Sequence, residues 1–371
     1  MTGPDSCTAR FALQLEHLFP DRRSKPEEIA SDALSLVLAL DGHMDTSFTL
    51  QLSARPDARG GRLEVHLIGA VDPTTDGGVA VDRVMEICDD LHDVLAAPPV
   101  RWSFSTVDDE ERLTAVLQPF EARHIAEIVR REEPCSPIRW GSRAGLNAPV
   151  EAAADRSVWS MWTLGPASAD LRRLATILLA QEAPVCVRVI LRPTHLGDDE
   201  RDGIEDLLKT VAGLLPDGDG LLRASVSTIE ALLYLRPVYE MRCLVGSTEP
   251  LSRSMLSEIG RTFSEPSHHG RTAAGLLEGG FAIVRDADST SRSAMLQAFE
   301  QLDTGEPTVG LAPPRLRRIR RLLGAWEAAN VFRLPVTDDD FPGVTALSTP
   351  ELAPPLATLP TEGRRAGSIV G

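Results

Sequence analysis

A chain of 371 residues with 43% hydrophobic content is long enough for two or three domains with real cores. Its net charge of −16 repels a nucleic-acid backbone overall, so any DNA contact must be a local patch. No stretch approaches the 18 apolar residues of a membrane-spanning helix, and aromatics at 5% leave the cores to Leu, Val, Ala and Ile.

Strand patterns come first along the chain. Phe48, Leu50 and Leu52 alternate with Thr49, Gln51 and Ser53, and Leu63, Val65 and Leu67 alternate with Glu64 and His66. Arg59-Gly60-Gly61 supplies the turn, so the pair reads as a hairpin. Val81, Val84, Met85, Cys88, Leu91 and Leu95 predict one apolar face of a helix. Trp102 and Phe104 mark another strand, and a second helix is expected through Leu113, Val116, Leu117 and beyond.

The second half repeats this rhythm. Leu171, Leu174 and Leu178 suit a helix capped near Ser168 or Asp170. Val185, Val187, Val189 and Leu191 alternate as a strand, and Ile204, Leu207, Leu208, Val211, Leu214 and Leu215 form an amphipathic helical stripe. Tyr239, Met241, Cys243 and Val245 predict a strand, Met255, Leu256, Ile259 and Phe263 a helix, and 281–284 a strand. Asp288 or Ser289 then caps a helix through Leu296 and Phe299.

The fold class is therefore expected to be α+β, with two sandwich-like, ferredoxin-like units of interleaved strands and helices. The first spans 1–133, a linker without clear period covers 134–156, and the second unit spans 157–304. A basic amphipathic helix region follows at 305–335. Pro342, Pro350, Pro354, Pro355 and Pro360 then make 336–371 an extended Pro-rich tail.

The candidates for chemistry are mostly explained by structure. Cys7, Cys88, Cys135, Cys186 and Cys243 are odd in number, widely spaced and without a Cys-x-x-Cys pair, so no zinc ribbon or thioredoxin-like motif is present. Cys186 and Cys243 fall in apolar strand patterns and are expected to be buried thiols. The cysteine usage and the lack of a signal-peptide pattern point to a cytoplasmic protein, with membrane association through partners left open. Val107-Asp108-Asp109-Glu110-Glu111 is better read as an acidic helix start than as a Walker B pair, because the strand before it is interrupted by Arg101, Ser103, Ser105 and Thr106. Asp217-Gly218-Asp219-Gly220 is a turn and not a calcium loop, since position twelve is Thr228. His268-His269 has no third ligand nearby in sequence. No metal, cofactor or catalytic residue is expected.

The strongest basic feature lies over 315–327. Leu316, Ile319, Leu323 and Trp326 recur at helical spacing, while Arg315, Arg317, Arg318, Arg320 and Arg321 crowd the remaining positions. These arginines could touch DNA phosphates, an acidic neighbouring subunit or an anionic membrane surface. The competing and favoured reading pairs them with the chain's own abundant carboxylates. If they are a free patch, charge reversal at Arg318 and Arg321 should weaken assembly or DNA association without unfolding the protein.

Ala328-Ala329-Asn330-Val331-Phe332-Arg333-Leu334-Pro335, followed by Phe341-Pro342-Gly343-Val344, resembles the approach to the motor domain in HerA-like ATPases, the superfamily of conjugative DNA-transfer and type IV secretion motors. In that resemblance Phe332, Leu334, Pro335, Pro342 and Gly343 belong to the linker toward a motor. The motor itself is not in the sequence. Lys25 and Lys209 are the only lysines, and neither follows the Gly-rich loop that a Walker A site needs. The resemblance implies a non-catalytic docking and assembly module that works with an ATPase motor domain or subunit. Because such motors are hexameric, it also implies assembly with further copies. The alternative is a stand-alone cytoplasmic protein–protein interaction protein, including one in an antiphage defence complex.

Overall fold

The computed structural model describes residues 8–19, 26–56, 62–72, 77–97, 100–135, 158–161, 164, 171–212, 220–234, 236–264, 280–285, 289–305, 312, 314–336 and 341–346. Within them the chain is α+β, and its strands join into one ten-stranded sheet with a separate two-stranded ribbon.

The first strand, β1 (Arg10–Leu18), is followed by α1 (Pro26–Leu40) and the expected hairpin, β2 (Thr46–Arg55) and β3 (Arg62–Val71). The hairpin pairs in register from Thr46–Val71 to Arg55–Arg62. Next come α2 (Gly77–Ala96), β4 (Trp102–Thr106), α3 (Glu110–Leu117) and β5 (His124–Arg130). The ribbon is β6 (Glu132–Cys135) with β7 (Val158–Met161). The second half runs α4 (Leu171–Leu179), β8 (Val185–Thr194), α5 (Asp198–Ala212), α6 (Gly220–Tyr234), β9 (Val238–Ser247), α7 (Arg253–Phe263), β10 (Phe281–Arg285) and α8 (Ser289–Gln301). It closes with β11 (Leu322–Gly324), α9 (Ala325–Val331) and β12 (Thr345–Ala346).

The stretches 1–133 and 157–304 do not form separate sheets. β2 from the first pairs antiparallel with β8 from the second, from Phe48–Leu191 to Ala54–Val185. β5 leaves the first half to lie between β9 and β10 of the second. The reason lies in the side chains. Leu50, Leu52, Val187, Val189, Met241 and Cys243 share one apolar face that needs a single cover, and α1, α2, α4, α7 and α9 supply it as one core. The opposite face is covered by α3 and α8, through Val116, Met295, Ala298 and Phe299.

Several local expectations shift. On α2 the buried residues are Ala80, Ile87, Leu91 and Leu95, while Val81 and Met85 face outward at 53% and 60% exposure. The helix through Leu113 stops at Leu117. Its start is as expected: Asp109 caps it by accepting a hydrogen bond from Arg112 N–H at 2.9 Å.

The basic helix over 315–327 is replaced by two 3-10 turns, Pro314–Leu316 and Ile319–Arg321, then β11 and α9. Leu322 and Leu323 bury into different cores, as consecutive strand residues do and helix residues do not. β11 gains its own ladder by pairing Leu322–Gly324 with Glu240–Val238 of β9.

The tail also departs from a plain linker. Phe341 is buried, and β12 pairs in parallel with His17 and Leu18 of β1. Residues 347–371 lie outside the described residues, as do most of 134–156, Asp217-Gly218-Asp219 and His268-His269.

One close approach can be tested directly. Gly260 of α7 lies under Phe281 of β10, and a Cβ there would meet the ring at 2.2 Å. Helix propensity alone favours Ala by about 1 kcal/mol. Overpacking opposes it with about 1–3 kcal/mol. Gly260→Ala is expected to lower the urea midpoint, and a raised midpoint would show that the ring has room to move.

Candidate functional site

Charged residues on the second face of the sheet form the largest concentration of buried ionisable groups among the described residues. They arise from strand alternation. In Val187-Arg188-Val189, Ala126-Glu127-Ile128 and Met241-Arg242-Cys243 the apolar neighbours face the main core, so the charged residue between them points to the other side. That side is not solvent. Arg188, Glu127 and Arg242 are each no more than 1% exposed.

Glu127 sits at the centre. Its Oε2 accepts from Arg242 Nη2 at 3.1 Å and its Oε1 from Arg321 Nη2 at 3.1 Å. Both arginines also donate to Thr304 O, at 2.8 and 3.0 Å, and Arg321 reaches Gly305 O at 3.2 Å. These carbonyls are presented by the turn that ends α8, where Leu302 takes a left-handed φ of 61° and Asp303 N–H returns to Ala298 O. Burial lowers the Arg242 pKa, and the Glu127 carboxylate opposes that shift.

The network continues toward the other end of β9. Glu240 stands between Arg321, at 3.8 Å, and Arg318, at 3.4 Å. Arg318 grips Glu200 through both carboxylate oxygens at 2.8 and 2.7 Å, and donates to Thr194 Oγ1 and His195 O at 2.9 and 2.7 Å. Burial pushes Glu240 up against the pull of the two arginines. Burial would push Glu200 up as well, but hydrogen bonds from Arg318 and Gly197 N–H outweigh it and hold Glu200 below its ordinary 4.5. On acidification Glu240 therefore takes its proton before Glu200. A carboxylate with a lowered folded pKa stabilises the fold above its unfolded value and loses that contribution as pH falls through the folded one. The unfolding free energy should thus drop below pH about 4.5. Arg318→Met should remove about 1–3 kcal/mol at pH 7 and flatten that acid limb. An unchanged acid limb would disprove the assignment.

Arg188 is the exception, because among the described residues no carboxylate pairs with it directly, and Glu300 acts on it only from a distance. Its Nε donates to Gln51 Oε1 at 2.8 Å, Nη2 to Leu117 O at 2.6 Å, and Nη1 to Phe299 O. Its guanidinium also lies 4.1 Å from the Phe299 ring centroid. Leu117 ends α3, and Phe299 is in the last turn of α8. Gln51 Nε2 completes the clamp by donating to Val116 O at 2.9 Å.

The five arginines singled out in the sequence thus separate. Arg315 and Arg317 are exposed, Arg318 is half-buried, and Arg320 and Arg321 are buried. Arg320 pairs with Glu132 at 3.3 Å. Charge reversal at Arg321 would place a carboxylate against Glu127 and Glu240, so the expected Arg318/Arg321 experiment would damage the fold. The linker residues are also held in place. Phe332 and Leu334 are buried in the main core, Trp102 Nε1 donates to Pro335 O at 2.7 Å, and Gly343 takes a φ of 82° against Leu63.

Past Arg318 the surface opens into a cleft of about 170 Å³ between the end of β8 and the start of β9. Arg201, Arg236, His195 and Asp41 line it with several leucines. Sequence reasoning missed this cleft and the Arg188 clamp. The available signal was a lone charge flanked by β-branched or apolar residues inside a strand.

Among the described residues no group of three or more His, Cys, Asp or Glu side chains converges to hold a metal ion. No described helix is long and apolar enough to cross a membrane. Cys186 and Cys243 are buried free thiols, with burial pushing both pKa values up. No family model matches the chain, and no curated protein matches it.

Proposed function

We propose that this chain is a non-catalytic docking and assembly module of a HerA-like DNA-translocating motor, in conjugative transfer or a related bacterial system. The supporting observation is how the segment with the motor-approach resemblance is held. Phe332, Leu334 and Phe341 enter the main core, and burying each is worth about 1.5–3 kcal/mol. Trp102 and β1 fasten the stretches on either side of 337–340. A segment anchored this way can pass load between the sheet and a motor without peeling away.

The non-catalytic part of the reading draws on the charge network, which uses its ionisable groups on each other. Lys209 lies near the end of α5, within 3.7 Å of Glu205 and Asp206, and not in a phosphate-binding loop. The second reading, a stand-alone interaction protein that could serve antiphage defence, draws on the outward Val81 and Met85, one helical turn apart on α2.

Contact with DNA falls to Arg315 and Arg317. Arg315→Glu with Arg317→Glu should change stability by no more than about 0.5 kcal/mol. If both arginines meet phosphates, the variant should also shallow the salt dependence of DNA retention by about 1.8 in log–log slope. An unchanged slope in filter binding removes DNA from the reading and leaves protein contacts alone.

A further inference from the structure

The cleft between β8 and β9 brings two arginines together with several apolar side chains. Most arginines of the second face are bound to carboxylates or carbonyls, yet Arg201 and Arg236 line the same cleft with no side-chain partner among the described residues. Asp41 is the one carboxylate among the described residues of the cleft, so their ionised side chains sum to +1 with His195 neutral. Leu196, Leu232, Leu233 and Pro237 form an apolar wall. The cleft is also braced from behind. Arg318 donates to Thr194 and His195, which fixes the strand end that carries its rim.

Size and charge together select the ligand. A volume of about 170 Å³ is below the roughly 300–1,000 Å³ of ordinary small-molecule sites, so a nucleotide does not fit. It holds a group of about one amino-acid residue. A net charge of +1 balances a monoanion and leaves a phosphate dianion over-charged beside Asp41. Two guanidiniums suit the two oxygens of a carboxylate, and the leucine wall suits a branched aliphatic stem.

We propose that this cleft binds a carboxylate carried on a branched apolar group, either the C-terminal residue of a partner polypeptide or a free acid of that size. The site is independent of the motor reading and stands or falls separately from it.

The test is a calorimetric titration of the intact chain with N-acetyl-leucine, N-acetyl-leucinamide, an unrelated-sequence hexapeptide ending in a free Leu carboxylate, and inorganic phosphate. The acid and the peptide should bind, the amide at least tenfold more weakly, and phosphate more weakly than the acid. Arg236→Gln and Arg201→Gln should each reduce binding at least tenfold while leaving the thermal midpoint unchanged, because Arg236 is exposed and Arg201 half-buried. Tighter binding of the peptide than of the acid assigns the site to a chain terminus, and equal binding assigns it to a free acid. No binding of acid or peptide, equal binding of acid and amide, or preference for phosphate would overturn the proposal.

Discussion

Arg188→Ala should be among the most damaging single substitutions in this protein, lowering the unfolding free energy by about 3–6 kcal/mol. Gln51 Oε1, Leu117 O and Phe299 O would all lose their donor, the first and last of them in a buried setting. Each buried orphaned acceptor costs about 1–3 kcal/mol and the part-buried one less, before the cavity is counted. A buried guanidinium without a carboxylate would ordinarily be a liability, and burial does lower its pKa. Two helix ends compensate. Each C-terminus carries about half a negative charge, so those of α3 and α8 together roughly match one arginine. Arg188→Lys should fall between wild type and Arg188→Ala, since an ammonium keeps the charge but cannot span three acceptors from one plane. Urea denaturation reads all three proteins. A loss under 1 kcal/mol for Arg188→Ala would mean that the helices do not depend on the clamp.

Glu127→Gln tests the other half of the face. It nearly preserves volume but removes a carboxylate that pairs with both Arg242 and Arg321. The one amide oxygen left at 127 could then serve only one guanidinium, and the new NH2 would face the other, leaving the pair to Thr304 O, Gly305 O and, for Arg321, Glu240 at 3.8 Å. Removing one partner from a buried ionic group costs about 3–5 kcal/mol. Because those carbonyls end α8, the loss should appear first as faster amide exchange in the last turn of that helix. Global destabilisation without local exchange, or no change at all, would contradict the arrangement.

Strand alternation was easy to read wherever one face was apolar, as in Phe48, Leu50 and Leu52 or Val185, Val187 and Val189. The same alternation hid the second face. Arg188, Glu127 and Arg242 look like solvent-facing positions until α3 and α8 are seen to cover them. Nothing in a local pattern reports that a helix end will supply carbonyls to an arginine some 70 or 111 residues away. The arginine-rich stretch failed for a related reason. Leu316, Ile319 and Leu323 fit a helical period, but Leu322 is equally apolar, and two opposite cores chose the strand. Pairing of those arginines with the chain's own carboxylates was the favoured expectation, and for Arg318, Arg320 and Arg321 the ion pairs are present. The continuity of the sheet was not visible, because β2–β8 pairing joins residues more than 130 apart and leaves no local trace.

The proposed docking role is tested most directly by the native mass of this chain mixed with a HerA-like ATPase core from a conjugative-transfer system. Light scattering after size-exclusion chromatography should show the chain travelling with the motor in one particle. Phe332→Ala with Phe341→Ala, which loosens the anchored segment, should release it. Separate elution of the wild-type chain and the motor, at concentrations well above micromolar, would contradict the account.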